Sequence, residues 1–567
     1  MPLVLKRSHL GDLQDPTRHL VDRLAGEGVI ARLWNRDHTV WKPDPAEIAS
    51  RLGWLDCPAT MPASLGEIDA LVESVRRAGL THALLLGMGG SSLAPEVFRA
   101  VFGAAPGYPD LAVLDSTEPG AVLAVAERLD PRKTLYIPAT KSGGTVETIS
   151  LLKYFYNRAR EALGDAVGDH FVAITDPGSG LAEMAAALGF RHTFLNDPDI
   201  GGRYSALSMF GLVPARLLGL DVDRLLQRAR AAAARCAVER DNPAAELGAL
   251  MGAAAATGRD KLTLLLSPGL AALGAWVEQL IAESTGKEGR GILPVDGEPV
   301  GAPELYGTDR LFVHVCLAGD RSLDAAVAAL AAAGHPVARI EMGDLYDLGG
   351  EFLQWEISTA VAGAALAINP FDQPNVEAAK VLARSMTEAY RRDGALPAPA
   401  PALTDGALAV YGQIDATTLE GALRQFLSVP GHVPAPYVAI QAYVCPAPET
   451  DAALTALRVT LRDRLHLATT VGYGPRFLHS TGQLHKGDGG HGLFLQLAAG
   501  ALRDAAIPDR AGQPQSSMSF GVLVSAQALG DSQALEQAGR RVLRVHLGAD
   551  VTAGLQRLSA AVAAALT

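Results

Sequence analysis

Cysteine is scarce in this sequence: Cys57, Cys236, Cys316 and Cys445 are the only four, lie far apart and form no CxxC pair. That spacing argues against both a zinc cage and a disulfide framework, and favours free thiols in a reducing cytoplasm. An excess of basic charge is missing as well, since 49 Lys+Arg stand against 61 Asp+Glu for a net charge of -12. A protein that neutralises nucleic-acid phosphates needs the opposite footprint, so no nucleic-acid partner is expected. Long apolar runs are also lacking, because segments such as 247–258 and 359–370 fall short of the roughly 20 residues that cross a bilayer. The opening residues, MPLVLKRSHLGDLQD, lack the basic start and apolar stretch of a secretion signal. A cytoplasmic chain that acts on a small molecule, away from membranes, is the expectation.

What is present suits a globular α/β protein. Hydrophobic residues make up 49% and charged residues 19%, and 567 residues exceed one compact domain, so about three or four are expected. Short β-branched or leucine-rich runs alternate with amphipathic stretches, which is the mark of parallel α/β layering. Strands are predicted at 82–86, 111–114, 134–138, 171–175 and 192–195, then at 261–266, 311–316 and 337–342, and again at 437–444, 493–497 and 542–546. The expected organisation is a helical extension over 1–59 packed outside a first doubly wound domain at 60–235, a second at 236–395 and a C-terminal α/β subdomain at 396–567. The Pro- and Ala-dense stretch 393–405 predicts an extended linker between the last two.

Two strand-to-helix turns carry the first chemical signal. Gly87-Met-Gly-Gly-Ser-Ser-Leu-Ala-Pro-Glu96 combines glycines that let the backbone curl with Ser91 and Ser92 as donors at a positive helix end. It lacks the Lys of a Walker loop and the spacing of a dinucleotide fingerprint, and such a turn by itself often only connects elements. Thr140-Lys-Ser-Gly-Gly-Thr-Val-Glu-Thr148 is more specific: Lys141 supplies charge, Ser142 and Thr145 hydroxyls, and two glycines expose amides. The plainer alternative, an N-cap at Thr145 behind a polar turn, leaves the lysine and the paired glycines unexplained.

A helix opened by Ser267-Pro268 and stopped by Gly286 places Glu283 in its last turn, where the helix dipole disfavours an anion and raises the affinity for a proton towards that of a general base. Lys287 and Arg290 follow closely and act in the opposite sense, and the plainer alternative is a solvated helix-end residue. Three further segments are rich in polar residues: Gly201–Ser205 with Arg203, Asn369–Pro374 leading to Lys380, and Ser480–Gly487 with His485. Arg203 behind two glycines is placed to meet a developing oxyanion, or else is a surface guanidinium in a salt bridge.

In this order, over about residues 80 to 500, these segments resemble the glucose-6-phosphate isomerase family, most of all the isomerase portion of bacterial transaldolase/glucose-6-phosphate isomerase fusions. The resemblance implies two sugar isomerase (SIS) domains, with Gly90, Ser91, Lys141, Ser142 and Thr145 at the phosphate of a sugar-phosphate substrate. It implies that Glu283 shuttles a proton between C2 and C1 through a cis-enediol, that Arg203 stabilises the enediolate, and that Lys380 helps open the pyranose ring. Neither cofactor nor metal is implied, and the family is commonly a homodimer whose sites borrow a histidine from the neighbouring subunit.

The chain departs from the family in two respects. The ring-opening histidine usually sits in a GQH segment between the positions matching Glu283 and Lys380, an interval that here contains no GQH. The nearest match, GQLH, follows Lys380, so its His485 is assigned the role, with His479 and His491 as rivals. Nothing resembles the transaldolase half, and no lysine Schiff-base aldol activity is expected. A dual phosphoglucose/phosphomannose isomerase remains an alternative, as does a non-catalytic sugar-phosphate sensor, which needs the phosphate loops but not Glu283, Arg203 and Lys380.

Overall fold

The computed structural model describes residues 8–428 and 435–567. Residues 1–7, which belong to the stretch read for a secretion signal and to the 1–59 extension, lie outside the described residues.

Five strands, β1 (His82–Gly87), β2 (Asp110–Leu114), β3 (Thr134–Ala139), β4 (Val172–Thr175) and β5 (His192–Leu195), form an all-parallel sheet ordered β2-β1-β3-β4-β5. The central strands β1, β3 and β4 are almost entirely buried, as expected of a sheet covered by helices on both faces. Gly87 pairs in register with Ala139, so β1 and β3 end side by side. The two glycine-bearing turns therefore leave neighbouring strands at the point where the winding reverses, which is where open α/β sheets hold ligands.

A second all-parallel sheet is built from β6 (Lys261–Leu266), β7 (Leu293–Val295), β8 (Arg310–Leu317) and β9 (Val337–Met342) in the order β7-β6-β8-β9. The third contains β10 (Leu403–Asp405), β11 (Leu408–Tyr411), β12 (Tyr437–Tyr443), β13 (Ala468–Tyr473), β14 (Gly492–Ala498) and, after the small separate pair β15 (Ala506–Ile507) and β16 (Met518–Ser519), β17 (Arg541–His546). Its parallel part runs β13-β12-β14-β17, with β10 and β11 added as an antiparallel edge. All three sheets thus repeat one winding, in which the first strand lies between the second and the third. The expected α/β class with doubly wound parallel sheets is observed, and the C-terminal part repeats the same pattern.

One continuous apolar core joins the first two sheets, with Leu85 and Ile137 on one side and Leu262 and Val313 on the other. Between them runs the helix Leu348–Leu366, buried along almost its whole length and therefore without an amphipathic stripe. A separate core of Val438, Ile440, Leu495 and Leu543 holds the third sheet. The N-terminal segment leans on the second sheet as well as the first: His9 bridges Val337 of β9, Leu52 bridges Ile200, and the Trp41 indole donates to the Ala360 carbonyl at 2.8 Å. Residues 395–402 adopt neither helix nor strand and are mostly exposed, in keeping with a connecting stretch.

The segment between β13 and β14 is what positions the site. It leaves the third sheet as a turn, Arg476–His479, followed by the short helix Gly482–Gly487, and both press against the first two units. The fit is so close that a Cβ on Gly286 would lie 2.2 Å from the Leu484 Cα.

Candidate active site

Loops from all three units meet at the ends of β1 and β3. Gly89 has φ +53°, and a Cβ there would stand 2.7 Å from the Gln279 amide nitrogen and 2.9 Å from the His479 carbonyl oxygen. A Cβ on Gly90 would overlap the Gly202 carbonyl oxygen at 1.9 Å. Gly89 thus lets the second and third units close on the first, and Gly90 lets the Gly201–Ser205 loop of the first unit pack onto the turn. Gly90→Ala is expected to lower the melting temperature by several degrees and to reduce turnover more than tenfold, because backbone rather than a flexible side chain must yield. Parallel thermal melts and activity assays check this.

Ser91 is buried in the first turn, 8% exposed. In the second turn the Thr140 and Thr145 hydroxyls lie 2.7 Å apart, and the Gly144 N–H donates to Ser142 Oγ at 3.3 Å, at the head of the helix Val146–Leu163. An 18-residue helix presents unpaired amides and a positive dipole end there, the usual setting for an anion. That end opens on a cavity of about 350 Å³ lined by Ser142, Thr145, Glu147, Lys380, His479 and Lys486. Lys141 does not line it. Its ammonium pairs with Asp176 and donates to the Pro198 carbonyl at 2.7 Å, so the lysine faces away from the cavity.

Glu283 sits in the last turn of the helix Leu273–Thr285 with its side chain 13% exposed. Its Oε2 accepts from Gln279 Nε2 at 3.0 Å, and its Oε1 lies 3.4 Å from an Arg203 guanidinium nitrogen. Gln279, one turn earlier on the same face, also donates to the His479 carbonyl at 2.8 Å. Arg203 is almost fully buried and its donors are heavily engaged: Ser284 Oγ at 2.8 Å, Gln373 Oε1 at 2.9 Å, and the Pro370 and Asp372 carbonyls at 2.7 and 2.9 Å. The Asn369–Pro374 segment thus acts as a clamp on the guanidinium. Behind it Lys287 bonds Asp372 at 2.7 Å, and burial together with the nearby Arg203 charge brings its pKa down to about 8.

His479 is the histidine at the cavity. Its Nε2 is 2.9 Å from Glu147 Oε1, and Glu147 also accepts from Gln527 Nε2 at 2.7 Å, whose own oxygen takes the Thr117 hydroxyl at 2.8 Å. Burial works against the Glu147 anion, but the facing His479 outweighs it and holds the carboxyl below its ordinary range. The structure does not bring His485 to the cavity. It is 2% exposed and packs among Tyr437, Phe477 and Phe494, where burial plus the charges of Lys486 and Arg540 depress its pKa. His491 lines a different cavity, with Lys261, Tyr437 and Asp488. Lys380 reaches the cavity half-exposed and donates to Glu377 at 2.8 Å.

Glu283 itself is not on the cavity lining; it lies behind His479 and is joined to it through Gln279. Sequence reasoning singled out Glu283 and Arg203, which the structure pairs, but assigned no role to Gln279, Glu147, Gln527 or Lys486. Three of these carried a signal: Gln279 is four residues before Glu283 on one helix face, Glu147 belongs to the second glycine turn motif, and Lys486 lies in the polar segment Ser480–Gly487. Among the described residues no cluster of His, Cys, Asp or Glu is arranged to hold a metal ion, and no helix is long and apolar enough to cross a membrane.

Paired sheets of one winding, an anion-ready turn at the switch point of the first, and a carboxylate from the second unit paired with a guanidinium from the first define a protein of the sugar-phosphate isomerase class. Residues 72–291 match the phosphoglucose isomerase family model. The chain is 34% identical to the glucose-6-phosphate isomerase of Rubrobacter xylanophilus over 383 residues, covering 58% of this chain and 87% of that protein. It is 30% identical to that of Thermus thermophilus over 382 residues, covering 60% and 90%. Among solved structures, a hypothetical protein of Thermus thermophilus aligns with a TM-score of 0.57 at 27% identity, over 67% of this chain and 99% of its own. The Chlamydia trachomatis glucose-6-phosphate isomerase shares the fold with a TM-score of 0.51 at 23% identity, over 63% and 77%. The chain belongs to the glucose-6-phosphate isomerase family.

Proposed function

We infer that this chain interconverts glucose 6-phosphate and fructose 6-phosphate. The observation that carries the inference is the Glu283–Arg203 pair, 3.4 Å apart and largely withdrawn from water, joined through Gln279 to His479 on the lining of the cavity at the helix end. Moving a carbonyl between C1 and C2 needs a base to take the proton at one carbon and return it at the other, and a cation to stabilise the oxygen that becomes negative between the two steps. Glu283 is that base and Arg203 that cation. The phosphate rests on Ser142, Thr145 and the amides that begin the helix Val146–Leu163, with the Gly90–Ser91 turn on the neighbouring strand; Lys141, paired with Asp176, faces away and takes no direct part. Fixing the ester holds C2 at one place, so proton transfer proceeds within an oriented complex.

Ring opening falls to His479 rather than His485. It lies at the cavity, and Glu147 fixes its ring as a carboxylate does for an acid–base imidazole. Lys380 stands on the same lining to assist at the ring oxygen. A sugar-phosphate sensor has no use for a buried base facing a buried guanidinium. The homodimer and the cytoplasmic setting implied by the family belong to the same proposal; the latter is supported by four cysteines that are all free.

A coupled assay with fructose 6-phosphate tests the inference, and an inert wild-type protein sinks it. His479→Asn is expected to lower kcat/KM on the cyclic sugar by about a hundredfold, within the range of a lost acid–base group. His485→Asn, in an aromatic core away from the cavity, is expected to stay within about threefold per correctly folded molecule. The reverse ranking would return the role to His485.

A further inference from the structure

Lys486 follows His485 on the short helix Gly482–Gly487, and successive residues on a helix point about 100° apart. One turns into the aromatic core and the other towards the cavity. Lys486 is only 6% exposed, yet it lines the cavity with His479, Gln527, Ser142 and Thr145. Its ammonium donates to Asp531 Oδ1 at 2.5 Å and to the Gly482 carbonyl at 3.3 Å. An ammonium has three donors, and among the described residues no acceptor takes the third.

Asp531 is fully buried, and its Oδ2 makes no hydrogen bond. It lies one turn beyond Gln527 on the helix Phe520–Gln537. One face of this third-unit helix therefore holds two site groups, Glu147 with its histidine through Gln527 and Lys486 through Asp531. A buried ion pair stabilises a fold no better than an apolar pair of similar size, so packing alone gives little reason for it. Asp531 also cancels the net charge of Lys486, leaving a fixed donor rather than a free cation. A neutralised donor suits a hydroxyl or ring oxygen, whereas a phosphate dianion is better served by the helix end and the hydroxyls of Ser142 and Thr145.

We propose that Lys486 contacts the substrate, donating a hydrogen bond to an oxygen of the sugar rather than to the phosphate, with Asp531 as its positioning residue. This rests on the isomerase reading of the same site.

The test uses Lys486→Met/Asp531→Leu, which removes the whole pair and leaves no buried charge behind, alongside Lys486→Gln, which keeps a donor for Asp531. Each full-length variant is compared with wild type in kcat/KM for fructose 6-phosphate, and in the rise of melting temperature caused by fructose 6-phosphate and, separately, by inorganic phosphate. Both variants are expected to lose about a hundredfold in kcat/KM and most of the stabilisation that the sugar phosphate gives beyond inorganic phosphate, while the response to inorganic phosphate is unchanged. A double variant with kcat/KM within threefold of wild type overturns the proposal and makes the pair structural. A weakened response to inorganic phosphate overturns the assignment to the sugar. The binding comparison does not require turnover, so a wild type that binds fructose 6-phosphate without converting it would refute the proposed reaction yet still test Lys486.

Discussion

Glu283→Gln is expected to lower kcat/KM for fructose 6-phosphate by about a thousandfold while leaving the affinity for the sugar phosphate within a few-fold of wild type. The substitution keeps size and shape but removes the proton acceptor, and a positioned general base contributes about 10²–10⁴ to rate. The scaffold around it does not depend on the carboxylate, because Arg203 keeps Ser284, Gln373 and the Pro370 and Asp372 carbonyls. Chemistry and binding should therefore separate, with kcat falling and the binding-induced melting shift surviving. Following the C2 hydrogen in deuterated water gives a second readout, since washout should vanish together with turnover. Washout that persists at the wild-type rate would move the base elsewhere.

Arg203→Met should harm both function and fold. The guanidinium is buried beside a carboxylate, and the variant leaves Glu283 without its paired cation and two carbonyl acceptors without their donor. Removing one member of a buried pair costs about 3–5 kcal/mol, and loss of a charge-stabilising donor costs about 10²–10³ in kcat. Arg203→Lys should recover little of either, because one ammonium has three donors and cannot span acceptors arranged around a planar fork. Denaturant unfolding and steady-state kinetics on the same preparations check both parts. A stable, active methionine variant would remove Arg203 from the mechanism.

The sheets were legible because buried parallel strands are short apolar runs. His192–Leu195, Lys261–Leu266 and Val337–Met342 fall where the pattern puts them. β7 and β13 were not anticipated. The first is only three residues, Leu293–Val295, and the second, Ala-Thr-Thr-Val-Gly-Tyr, mixes threonine and glycine in a way that gives no clear apolar run. The site was legible where chemistry is local. Glycine turns announce themselves by composition, and Glu283 by its place between Ser267-Pro268 and Gly286.

It was not legible where direction matters. In His479-Ser-Thr-Gly-Gln-Leu-His-Lys486 three basic residues share eight positions, and which of them faces the cavity depends on how a six-residue helix is rotated against Gly286 and Asn375. Lys141 likewise has the right type in the right motif. Its direction is set by Asp176 and Pro198, contributed by other loops of the same sheet, and no local pattern in the turn records them.

The repeated winding of the three sheets also bears on how the protein is made. Both glycine turns, Arg203 and Glu283 are synthesised within the first half or so of the chain, whereas His479 and Lys486 arrive only with the excursion from the last sheet. A growing polypeptide that has already folded its first two units would hold an open anion cradle and an idle base while still attached to the ribosome. Its chemistry would begin only once the final unit had emerged and closed over them.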